Sequence, residues 1–162
     1  MEHQPAASIF LALQESALGH VMRSSPALYP AIEILHILGF VVLVGSILAL
    51  DLRLLGLGSA IPIQPMAHLL LSLSRLGFLL AISMGFLLFN ADAAHVVRNP
   101  AFQTKLLLIA AALVNIVIAH AGPWRHVAHW RIEPSGGAKV TAFVSLLLWL
   151  SAICAGRLIA YF

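Results

Sequence analysis

Between Ala31 and Leu50 the chain reads AIEILHILGFVVLVGSILAL, an apolar run closed by Asp51 and Arg53. A helix that crosses a bilayer needs about 20 mostly apolar residues, so this stretch is long enough to span. Three more candidates follow. The second lies within Leu69–Val97, where Arg75, Asn90, Asp92 and His95 leave the register open; Leu76–His95 is the preferred span, with Pro65–Arg75 as a helical lead-in. The third runs from Phe102 to Ala121, after Asn99-Pro100 and before Gly122-Pro123. A side chain that caps and a proline in the first turn start helices, and a Gly-Pro pair stops them. The fourth runs from Val140 to Ala160, after a turn at Pro134-Ser135-Gly136-Gly137.

Composition agrees. Of the 162 residues, 61% are hydrophobic and 9% charged, and the mean hydropathy is +0.99. A soluble domain carries roughly 25% charged residues, so this chain cannot cover itself with a water-facing shell. Its net charge of +3 is scattered, with no run of Lys or Arg, which argues against nucleic acid as a partner. Cys154 is the single cysteine, so no internal disulfide forms. The expected fold is an all-α, integral membrane four-helix bundle over 31–162, preceded by an interfacial segment over 1–30.

That first segment lacks the basic start and apolar core of a signal peptide, since Glu2 and His3 stand where a basic region would be. Within Ser8–Arg23, Ile9, Leu13, Ala17 and Val21 recur at spacing four, which fits one amphipathic helix on the membrane surface, with a frayed terminal segment as the plainer alternative. Arg125, Arg131 and Lys139 against Glu133, with Arg53 and Arg75, outweigh Arg23, Arg98 and Arg157 on the other side. Lys and Arg favour the cytoplasmic side, so both termini are expected to face outward.

Eight histidines beside two lysines are unusual. A charged side chain at the bilayer centre costs at least about 2.5–3.5 kcal/mol, so polar residues placed there pair, line a cavity or bind something. Measured from Asp51, His36 lies roughly 22 Å and Glu33 roughly 27 Å along the first span. Measured from Arg75, the matching levels on the second span fall at Asn90 and Ala93. Glu33-x-x-His36 and Asp92-x-x-His95 are then two acid–histidine pairs near one depth, each on one helix face. A plainer arrangement has Glu33 and Asp92 neutralising Lys105 and Arg157. His68 and His120 offer a second site near the cytoplasmic side, and His126 and His129 lie beyond it with Trp124 and Trp130. Asp51, Arg53 and Arg75 read as a structural charge cluster at the inner surface. Gly39, Gly45, Ser46, Gly77, Ser83 and Gly85 permit close helix approach, and Gly39 also suggests room for a flat macrocycle beside His36.

Three functions fit these residues. Haem b held by His36 and His95, with His68 and His120 for a second haem, makes an electron-transfer protein; Glu33 and Asp92 then orient the imidazoles. A copper, zinc, iron or manganese ion held by Glu33, His36, Asp92 and His95 explains the acids more directly. A cofactor-free accessory subunit of a membrane complex uses the same faces to dock a partner. A nucleophilic enzyme has no legible Ser/His/Asp constellation, and Cys154 sits in an apolar span. A redox partner or membrane complex, the lipid bilayer and a homo-oligomer are the partners considered.

Four stretches carry a resemblance. They are Glu33–Gly39 (EILHILG), Gly45–Gly56 (GSILALDLRLLG), Asn99–Lys105 (NPAFQTK) and Asn115–His120 (NIVIAH). Together they resemble a family of small, uncharacterised bacterial four-helix membrane proteins, which implies a bacterial inner-membrane location and singles out His36, Lys105 and His120. The Leu35-His36-x-x-Gly39 start is also similar to copper resistance protein D and to membrane b-type cytochromes, which implies a redox metal at His36.

Overall fold

The computed structural model describes residues 5–125 and 134–161. Its helices are α1 (Pro5–Gln14), α2 (Ala17–Ser24), α3 (Leu28–Leu54), α4 (Ile63–Ala91), α5 (Ala93–Val96), α6 (Pro100–Ala121) and α7 (Gly136–Leu158), the last ending in a 3₁₀ turn at Ile159–Tyr161. The helices α3, α4, α6 and α7 are each long and apolar enough to cross a membrane, which makes this a multi-pass membrane protein.

The boundaries follow local chemistry. Asn99 caps α6, its side-chain oxygen accepting from the amides of Ala101 at 2.9 Å and Phe102 at 3.2 Å, with Pro100 opening the first turn. The Asn99 amide also donates to the Ile159 carbonyl at 3.0 Å, tying the start of α6 to the end of α7. Ser135 caps α7 by accepting from the Ala138 amide at 3.3 Å, so that helix begins four residues before the expected Val140, with Gly136 and Gly137 inside its first turn. Between α3 and α4, Gly56 and Gly58 adopt φ of +113° and +67°, which only glycine enters readily.

The second span differs most from expectation. It begins at Ile63, so the lead-in is part of the long helix, and it ends at Ala91, where Asp92 breaks it with φ −149° and ψ 49°. His95 therefore belongs to the separate one-turn α5. The N-terminal segment forms two helices in place of one, because Ser16 caps α2 through the Gly19 amide at 3.2 Å. These helices dock on the end of α4. Arg23 donates to the Ala91 carbonyl at 3.0 Å and the Gln14 carbonyl at 2.7 Å, while the Gln14 side chain accepts from the Ala94 amide at 3.1 Å. The open carbonyl and amide of the chain break are thus satisfied by side chains. Met22 is buried beneath this cap, whereas Ile9 and Val21 of the apolar stripe remain exposed.

The helices pack through small residues. The helix α3 lies along α4 and also against α7, and α7 lies along α6. A Cβ on Gly39 would meet the Ala81 backbone nitrogen at 2.7 Å, and one on Gly77 would meet that of Leu43 at 2.5 Å, so the α3 and α4 backbones touch. On α7 the buried set is Ala138, Ala142, Ser145, Trp149, Ala152 and Ala155, one residue per turn along a single stripe. Large apolar side chains such as Leu107, Val117 and Val140 point outward. In a soluble protein that pattern would be inverted; here lipid covers them. One end of the bundle, called the capped end below, carries α1, α2 and α5; the opposite, loop end carries residues 55–62 and the start of α7.

Candidate functional site

His36 is the best-anchored of the sequence-selected histidines. It is half-buried, and its Nδ1 lies 2.8 Å from the Ala81 carbonyl of α4. The ring packs where Gly85 leaves space: a Cβ there would stand 2.9 Å from Cε1. A carbonyl oxygen can only accept, so in the neutral ring Nδ1 carries the proton and Nε2 keeps its lone pair.

Lys105 and Glu33 lie within electrostatic reach of this imidazole. Lys105 is half-buried on α6, with Nζ 5.5 Å from the centre of the Phe40 ring and its side chain against Gly156 of α7. Glu33 is exposed, and Tyr29 lies within electrostatic reach of both Glu33 and Asp92. The expected neutralisation is absent: among the described residues no ion pair joins Glu33 or Asp92 to Lys105 or Arg157. Arg157 turns to Tyr161, donating to its hydroxyl at 3.2 Å.

The contacts between α3 and α4 fix the register. Gly39 abuts Ala81, Leu43 abuts Gly77, and His36 abuts Gly85. His36 is therefore level with Gly85 rather than with Asn90, a difference of five residues or roughly 8 Å. The expected depth match placed α4 too far along because it took Arg75 as the counterpart of Asp51. Asp92 and His95 lie past the end of α4, exposed, with His95 Nδ1 3.4 Å from an Asp92 carboxylate oxygen. They pair with each other and do not converge with Glu33 and His36 as a level set. Nor does Gly39 leave room for a macrocycle, since the α4 backbone fills that space.

His68 and His120 are both exposed near the loop end. They stand on α4 and α6, which share no extended interface. The His120 Nδ1 lies 2.9 Å from the Ile116 carbonyl of its own helix, and its ring stacks on Trp124 with centroids 5.7 Å apart. His126, His129, Trp130, Arg131 and Glu133 lie outside the described residues, as do Glu2 and His3. Among the described residues no group of three or more His, Cys, Asp or Glu side chains is placed to hold a metal ion.

The expected charge cluster at Asp51, Arg53 and Arg75 does not form. Asp51 and Arg53 are buried, and Arg75 is exposed on α4. Arg53 donates from Nε to the Ile61 carbonyl at 2.8 Å and from a terminal nitrogen to the Ser59 carbonyl at 2.9 Å, closing residues 55–62 over the helix end. Asp51 accepts instead from the Ser145 hydroxyl of α7. Ser145 escaped the sequence reading, whereas Trp149 is legible there as an interfacial or packing residue and packs in the core. The spacing of Ala138, Ala142, Ser145, Trp149 and Ala152 marks them as one inward face, and it was the available clue.

Comparison with curated proteins and with solved structures finds no match. Nothing in the comparisons supports the similarity to copper resistance protein D or to b-type cytochromes. A family model matches residues 9–162, which takes in both N-terminal helices and all four spans. The chain belongs to that family, a family of unknown function designated DUF6644.

Proposed function

We propose that this protein is a membrane-embedded carrier of a redox group held by His36, with haem b as the group best suited to one imidazole among apolar helices. The supporting observation is the bond from Nδ1–H of His36 to the Ala81 carbonyl at 2.8 Å. Metal-bound histidines characteristically donate their other ring N–H to a carbonyl or carboxylate, which fixes the tautomer and raises the basicity of the ligating nitrogen. Among the described residues, His36 would be the one to hold such a group, through Nε2. The residues do not fit the bis-histidine arrangement expected within one chain, because His95 lies beyond α4 and pairs with Asp92. The tight α3–α4 seam also excludes a porphyrin from between those helices. Haem, when bound, supplies one-electron transfer. The chain contributes an oriented imidazole, and the opposite charges of Lys105 and Glu33 near it tune the local potential.

The test is the absorption spectrum of the purified full-length protein, oxidised and then dithionite-reduced. A Soret band with sharpened α and β bands on reduction, lost in His36→Ala, is the expected result. A colourless wild-type protein that also fails to take up added haemin overturns the reading.

The same hydrogen bond favours a second reading, a cofactor-free accessory subunit in which His36 ties α3 to α4. On that reading His36→Ala changes stability alone. A carboxylate–histidine ion site is weaker, because Asp92 and His95 supply two donors and no third joins them among the described residues.

A further inference from the structure

Asp51 takes no part in the His36 site, yet its side chain is shut inside the bundle at 6% exposure. It lies between two apolar clusters. On one side are Leu43, Val44, Ile47, Ala112 and Trp149; on the other are Leu50, Leu54, Ala67 and Ala142. Its carboxyl accepts from the Ser145 hydroxyl, but Oδ2 has no hydrogen-bond partner. Nε1 of Trp149, a residue 1% exposed, has none either.

The helices α3 and α7 run antiparallel and Asp51 meets Ser145, while Trp149, one turn further along α7, lays its ring against Phe40 with centroids 6.4 Å apart, towards the capped end. Leaving a buried polar atom unpaired is costly, so the free carboxyl oxygen calls for a further donor. A water molecule can be one, and buried waters occupy such polar sites.

Among the described residues the carboxyl also lacks a counter-charge. Arg53 on its own helix is committed to the Ser59 and Ile61 carbonyls. On α4, His68 and Arg75 are exposed; on α6, His120 is exposed and bonded to Ile116; on α7, Lys139 lies more than a turn before Ser145. Among the described residues none of these pairs with Asp51. An unpaired ionised carboxylate in apolar surroundings takes up a proton instead.

We propose that Asp51 and Ser145 form a proton-binding site, in which the Asp51 carboxylate takes up one proton while the Ser145 hydroxyl donates to the carboxyl. The proton comes from bulk water and returns to it, and no other bond changes. This site is independent of His36 and of any group held there.

Infrared titration of the lipid-reconstituted full chain tests it. In wild-type protein, a carboxylic acid C=O stretch that moves on exchange into D2O is expected at low pH, with reversible loss as pH rises. Asp51→Asn, which keeps the shape of the side chain, removes that band while helical circular dichroism is retained. Ser145→Ala keeps the acid but removes the donor, and shifts the band frequency. The proposal is overturned if wild type and Asp51→Asn show the same acid bands across the titration, or if the Asp51 band does not titrate. A band unmoved by Ser145→Ala overturns it too, even if Asp51→Asn fails to fold.

Discussion

At the loop end of the bundle Asp51, Arg53 and Ser145 are shut inside, under a connection that Arg53 itself pins down. At the capped end Glu33, Asp92 and His95 stand at the surface, and His36 and Lys105 are half-buried. Both ends hold polar side chains on apolar helices, but among the described residues only the loop end encloses charged ones. Small residues make the difference. From Gly39 through Gly77 the α3 and α4 backbones are in contact, and along α7 the alanines admit α3 and α6 closely. Past Gly39 towards the capped end the seam loosens enough to admit the His36 ring beside Gly85. The enclosed charged groups of the loop end hold the fold together, whereas those of the capped end stay at or near the surface.

The largest effect should come from filling the seam itself. A Cβ on Gly77 would stand 2.5 Å from the Leu43 nitrogen, where neither backbone can yield. Gly77→Ala should cost about 1–3 kcal/mol by overpacking, and Gly77→Leu should prevent recovery of folded protein. Gly45, also on α3, has nothing within 4 Å of its Cβ position, so Gly45→Ala should be neutral or stabilising. Thermal unfolding in detergent, followed by size-exclusion chromatography, separates the two. Equal losses at both positions would mean that the α3–α4 contact is not what encloses the loop end.

Arg53→Ala comes next. It removes two charge-assisted bonds, each worth about 1.5–3 kcal/mol, from a side chain 3% exposed. The expected loss is about 3 kcal/mol, with new proteolytic cleavage within residues 55–62. An unchanged digestion pattern would show that this connection is held by other contacts.

How far the sequence reveals this architecture differs between the same two regions. The four spans are legible because hydropathy is a sum over some 20 residues, and single polar side chains do not disturb it. The start of α6 is legible from Asn99-Pro100, because a cap is a local event. The register of α4 is not. It depends on Gly39 meeting Ala81 and Gly77 meeting Leu43, contacts between distant residues that one-helix arithmetic from Arg75 cannot recover. The break at Asp92 is hidden for a related reason: it is stabilised by Arg23 and Gln14 from another part of the chain. His36 could be selected from its own helix, whereas its partner at Ala81 could not. Asp51 could be seen as a charge, but its burial required Ser145 to be recognised on the last span.

Asn99→Ala should have a smaller effect. It deletes the cap of α6 and the link to Ile159, for a loss of about 1–2 kcal/mol. The loss belongs to the capped end and should leave the Asp51 infrared band in place. A variant that lost that band as well would show the two ends to be one cooperative unit.

His36→Ala should be the mildest of these in stability and the most informative in function. Hydrogen bonds between membrane helices average about 0.6 kcal/mol, because the separated helices find other partners, so losing the contact with Ala81 should lower the unfolding midpoint only slightly. His95→Ala sets the floor: an exposed contact such as that with Asp92 contributes at most about 1 kcal/mol, and its removal should leave stability and spectrum essentially unchanged. If His36→Ala destabilises far more than His95→Ala with no spectral consequence, the imidazole is a structural tie and the accessory-subunit reading stands. If the stability change is small and a haem spectrum disappears, His36 is kept for its free Nε2, and the loose seam at the capped end exists to present it.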